Sequence, residues 1–155
     1  MRVQPVANFV AADAFTEEGT DQIPCGVSLG KYCYRRELLK IKEQNVGRAT
    51  LKFHRLDGGP AKVGDIVERF GESTFIRAAH VADFMQCILS MARTQFEGDL
   101  AATVLFLVRH KNRTIPVRVG LFDNTEESRV QHPLRFSFGA THELPTVHAG
   151  LIGHY

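Results

Sequence analysis

Between Lys31 and Leu56 the chain carries eight cationic side chains, Lys31, Arg35, Arg36, Lys40, Lys42, Arg48, Lys52 and Arg55, against two acids, Glu37 and Glu43. That local balance of +6 sits in a chain of net charge +2, so the other residues sum to −4. Cations at this density neutralise phosphates. The tyrosines among them, Tyr32 and Tyr34, supply ring faces on which unstacked bases rest at ~1–3 kcal/mol per base. The chemistry implied is the binding of a polyanion rather than the making of bonds. Strand alternation without a bulge puts Tyr32, Tyr34, Arg36, Lys40, Lys42, Arg48, Lys52 and His54 on one face. In that arrangement Arg36, Lys40, Lys42, Arg48 and Lys52 hold phosphates, the two tyrosines stack bases, and His54 assists. Duplex reading by a ribbon in the major groove ranks lower, because base edges are read by Asn, Gln and Arg and this face is mostly Lys. The plainer alternative is a sheet edge with packed tyrosines, kept soluble by its lysines.

Other residue groups carry less. Of seven histidines, His142, His148 and His154 lie near the end with Glu143. Their sixfold spacing fits neither a helical i, i+4 pair nor the short His-x₃₋₅-His of zinc sites, so no metal is assigned. His80 falls at a helix start, where a capping or surface role is expected, and His132 precedes a proline in a loop. Asp123, Glu126 and Glu127 read as a solvated loop rather than a hydrolase site. There is no P-loop, no GxGxxG and no GxSxG. No catalytic residue and no cofactor follow, and the chain reads as a binder rather than an enzyme.

Elements must position these side chains. ELLKIKE and RATLKFHRL alternate like strands around Gln44-Asn45-Val46-Gly47, which predicts a hairpin. Leu39 and Ile41 share its inner face with Ala49, Leu51 and Phe53, and the cations take the other. AKVGDIVERFG has apolar residues at Val63, Ile66, Val67 and Phe70, a helical spacing ended by Gly71, with a strand as the alternative. Thr74–Arg77 is a short strand. The clearest helix runs from about Ala79 to Phe96, with a stripe of Val81, Phe84, Met85, Ile88, Leu89, Ala92 and Phe96. Cys87 lies beside the stripe as a small core residue. AATVLFLVRH is apolar on both faces, a central strand. Lys111-Asn112 turns it back into TIPVRVGLF, a second hairpin. PLRFSFG offers one more strand, and the end, ATHELPTVHAGLIGHY, holds at most a short helix.

A length of 155 residues suits one domain, burying ~68–70% of its unfolded surface. The charged fraction of 23% and mean hydropathy of −0.13 are those of a globular protein. No apolar run nears the ~20 residues of a membrane helix, so no membrane insertion is expected. The opening residues lack a compact apolar signal core. Three cysteines, Cys25, Cys33 and Cys87, are too few and odd for a disulfide framework, which favours a reducing interior such as the cytoplasm or nucleus.

The stretch VSLGKYCYRRELLKIKEQNVGRATLKFHRLDGG, followed by STFIRAAHVADFMQCILSMA, resembles the sheet-then-helix unit of small single-stranded-nucleic-acid binders. These are the transcriptional positive-cofactor family, its Pur-alpha relatives and the Whirly family. Ser28, Gly30 and Lys31 match an SxGK-type opening. Arg35, Arg36, Lys40, Lys42, Arg48 and Lys52 match the basic strands, and Phe75 to Leu89 matches the strand-helix end. The resemblance spans about half the chain and implies a curved antiparallel sheet for single strands, with the helix serving subunit packing.

The expectation is therefore an α+β fold. An extended arm over 1–22 precedes a single domain over 23–155, an antiparallel sheet of two hairpins packed on one long amphipathic helix. The expected partners are single-stranded DNA or RNA and further copies of the chain. The competing reading is a self-assembling structural protein, viral or phage, whose basic face is nonspecific.

Overall fold

The structure, a computed structural model, describes residues 1–15, 37–56, 61–95, 102–121, 146–147 and 150–155. In chain order its elements are β1 (Arg2–Val3), β2 (Val6–Val10), α1 (Ala11–Ala14), a helical turn at 37–39, β3 (Lys42–Val46), β4 (Ala49–Thr50), β5 (Lys52–Arg55) and β6 (Ala61–Lys62). Then come α2 (Val63–Phe70), a 3-10 turn (Gly71–Thr74), β7 (Phe75–Ile76), α3 (Ala78–Gln95), β8 (Ala102–His110), β9 (Arg113–Leu121), β10 (Thr146–Val147) and β11 (Leu151–His154). Helices and antiparallel strands coexist, an α+β chain. Among the described residues no helix is long and apolar enough to cross a membrane.

β8 is the hub, and its composition explains why. Val104 to Val108 are all buried, as a strand covered on both faces requires. β9 pairs antiparallel along its full length, from Ala102↔Leu121 to His110↔Arg113. On the other edge β11 (Leu151↔Val104) and β7 (Phe75↔Leu107) each run parallel to it. β5 then closes that side, antiparallel to β11. Val104, Phe106 and Val108 face a core with Val81, Phe84 and Met85 of α3 and Val3, Phe9 and Phe15 of the N-terminal segment. Leu105 and Leu107 face the opposite way and meet Ile152 and the Ile66 of α2. α2 ends at Gly71, whose φ of +61° lets its N–H return to the Val67 carbonyl.

Several expectations change. The hairpin between 37–43 and 48–56 does not form. β3 pairs with β2 (Phe9↔Glu43), β4 with β1 (Val3↔Ala49), and β5 with β11 (Ile152↔His54). Segments from both ends of the chain thus supply the partners that a local turn was expected to supply. The principal sheet is mixed rather than antiparallel, because β7 and β11 reach β8 through long connections. The end of the chain, expected to hold at most a short helix, gives strand β11 inside that sheet. The helix over Ala78–Gln95 does not display a simple stripe in its described turns: Ala78 to Ala82, Phe84 and Met85 are all buried. Cys87, expected in the core, is exposed. His80, expected as a cap or surface residue, is 3% exposed.

Of the segment expected as an arm, residues 1–15 enter the core. Val3 and Ala11 are fully buried, and the Phe9 and Phe15 rings meet edge-on at 6.0 Å. Residues 16–36, among them Tyr32, Tyr34 and Arg36, and the strand expected at PLRFSFG lie outside the described residues.

Candidate nucleic-acid interface

Over 41–56 the ionised side chains are Lys42, Glu43, Arg48, Lys52 and Arg55. Strand alternation turns Ile41 and Glu43 inward while Lys42 and Gln44 point to solvent. The Glu43 carboxylate is 8% exposed, at the start of α3. There its Oε1 accepts from the Ala78 N–H at 3.2 Å and its Oε2 from the Ala79 N–H at 3.0 Å. These are orphan donors of a helix N-terminus, where a negative charge is favoured. The only acid of the stretch is thus taken inside. Lys42, Arg48, Lys52 and Arg55 are exposed, and among the described residues none of them forms an ion pair.

The expected site residues do not lie on one hairpin. Lys42 sits on β3 opposite Val10. Arg48 immediately precedes β4, whose Thr50 is opposite Arg2, an exposed cation that sequence reasoning left out. Lys52 and His54 share one face of β5, directly across from His154 and Ile152. Lys40 differs from the others: its Nζ lies 3.1 Å from Glu37 Oε1 in an exposed ion pair. That hydrogen bond holds the Glu37 carboxyl below its usual 4.5, with weaker attraction from the Lys40 charge, from Arg113 at the start of β9 and from Lys111 of the turn before it.

An aromatic group lies beside Lys52. The Phe70 ring, at the end of α2, stacks on His154 at 4.5 Å and 30°, and His54 meets it edge-on at 5.5 Å. The Arg69 guanidinium lies 5.3 Å from the Phe70 centroid. All three rings are half-buried, whereas Lys52 and Arg69 are exposed. On β8, Arg109 covers Phe75 at 3.6 Å and grips both Glu72 oxygens, at 2.7 and 3.1 Å, which neutralises that cation.

His80 belongs to a buried network instead. Its Nε2 lies 2.8 Å from the Gly47 carbonyl, which can only accept, so Nε2 carries the proton. Nδ1 then accepts from the Tyr155 hydroxyl at 2.8 Å, and that hydroxyl accepts from the Arg77 N–H at 2.8 Å. Every polar atom here is matched, as a structural role demands. Among the described residues no three His, Cys, Asp or Glu side chains gather where a metal ion could be held. Comparison with family models, with curated proteins and with solved structures finds no match to this chain.

Proposed function

We propose that the chain binds single-stranded DNA or RNA, without catalysis, through the exposed cations of Lys42–Arg55, with Arg2 beside them. One observation carries the reading: the stretch keeps four exposed cations while its only acid, Glu43, is buried at a helix start. A stretch with no solvent-facing acid of its own carries uncompensated positive charge, and a bound strand gains affinity there by releasing the counterions condensed on its phosphates. Arg36 and Lys40 extend the phosphate contacts in this proposal, and Tyr32 and Tyr34 stack bases. The test is fluorescence anisotropy with labelled single-stranded and duplex oligonucleotides. The single strand should bind more tightly, and Lys42→Glu with Lys52→Glu should weaken it at least tenfold while circular dichroism stays unchanged. Equal affinity of the reversed and unaltered proteins would remove the interface.

The second reading, assembly of further copies of the chain, draws on Phe53. It is the one large apolar side chain exposed among the described residues, at 36%, and it sits on β5, an end strand of the sheet. Sedimentation separates the two readings. Concentration-dependent assembly that ignores the Lys42 and Lys52 reversals favours copies of the chain over nucleic acid.

A further inference from the structure

Phe70, His54 and His154 form a group at the margin of the core layer of Ile66, Leu105, Leu107 and Ile152. Phe70 packs against that layer, and all three rings stand half-buried rather than fully enclosed. The local folding that puts them there is plain. α2 ends at Phe70, and β5 and β11 run side by side with His54 opposite Ile152 and His154 opposite Lys52, so both imidazoles rise on the face that α2 crosses. Phe70 and His154 are already stacked at 4.5 Å, with Lys52 across from one ring and Arg69 over the other. A short aromatic stack flanked by two exposed cations has the composition that a nucleotide requires. A π-face meets the base and ammonium or guanidinium groups meet the phosphates on either side.

We infer that this group is a base seat, in which an unpaired base of a bound strand extends the His154–Phe70 stack while Lys52 and Arg69 hold its flanking phosphates. The inference rests on the single-strand reading above and adds to it, beyond the tyrosines of that reading, a ring platform on α2, β5 and β11. It commits to a base-bearing strand rather than to any polyanion. Purely electrostatic binding needs Lys52 and Arg69 but makes no use of the rings.

The experiment compares two labelled chains of equal length and equal phosphate number, a thymidine oligonucleotide and its abasic counterpart, at one salt concentration. The unaltered protein should bind the thymidine chain about tenfold or more tightly than the abasic one. His54→Ala with His154→Ala should lower that ratio several-fold, the remainder being the share of Tyr32 and Tyr34. Should the double variant fail to fold, the imidazole NMR signals of His54 and His154 in the unaltered protein serve instead. The thymidine chain should shift them and the abasic chain should not. Equal affinity for the two chains, a ratio untouched by the double substitution, or signals that respond alike to both chains would each overturn the seat while leaving the cationic face standing. Binding of neither chain would overturn the single-strand reading itself, and the seat with it.

Discussion

Glu43 shows how one side chain can serve both the fold and the proposed surface. Its carboxylate accepts two α3 N–H groups, so Glu43→Ala leaves two buried donors without partners at a cost of about 1–3 kcal/mol in urea unfolding. Tyr155 makes a second residue-scale case. Burial raises its hydroxyl above 10.0, opposed by the hydrogen bond from Arg77 and reinforced by the Glu43 charge. A raised folded-state value means that the stability it contributes is fully present below the unfolded value and is lost as pH rises through the folded one. Unfolding midpoints should therefore fall as pH climbs past 10.0. Tyr155→Phe should lower the midpoint at neutral pH, by about 1 kcal/mol for the lost hydrogen bonds, and should flatten the alkaline decline. Gly153 is constrained by space rather than by backbone angle. A Cβ there would sit 2.2 Å from Cε1 of Phe106, so Gly153→Ala should cost about 1–3 kcal/mol through overpacking.

At the scale of elements, what the sequence reveals is what depends on near neighbours. The all-apolar run of β8, its return through Lys111-Asn112 into β9, the short strand at Phe75 and the helix ended by Gly71 all follow from local pattern. Which side chains face inward is legible only in part: Ile41 and Leu51 are buried and Lys40, Lys42, Arg48 and Lys52 are exposed, but the alternation breaks at the buried Val46, and Phe53, expected on the inner face, is 36% exposed. Strand partners are another matter. Val3 opposite Ala49 and Ile152 opposite His54 join residues far apart in sequence, and alternation on one strand says nothing about which strand it meets. That is why two adjacent strands look like a hairpin yet pair elsewhere, and why Arg2, Phe70 and His154 escape a reading by local spacing. The role of β11 is directly testable. Ile152 is fully buried between the sheet and α2, so Ile152→Ala should cost about 2–5 kcal/mol, comparable with a central β8 substitution such as Leu105→Ala. A cost near that of a surface change would mean that β11 does not lie within the sheet.

For the whole molecule, the sequence puts its positive charge in one stretch and the fold removes the only acid from the surface of 41–56. The net charge of +2 hides this, since the other residues offset it. An interface made this way predicts strong dependence on ionic strength and little on base identity beyond what stacking confers. The most direct test is an anisotropy titration of a single-stranded oligonucleotide at several salt concentrations. If about five phosphates are neutralised, by Arg2, Lys42, Arg48, Lys52 and Arg55, the log–log slope should be roughly −3.5 and affinity should fall about 100-fold between 50 and 200 mM salt. Reversing Lys42 and Lys52 should make the slope shallower by about 1.4. A single strand that fails to bind at the lowest salt, or binds with a slope near zero, would contradict the cationic face as the working surface of this chain.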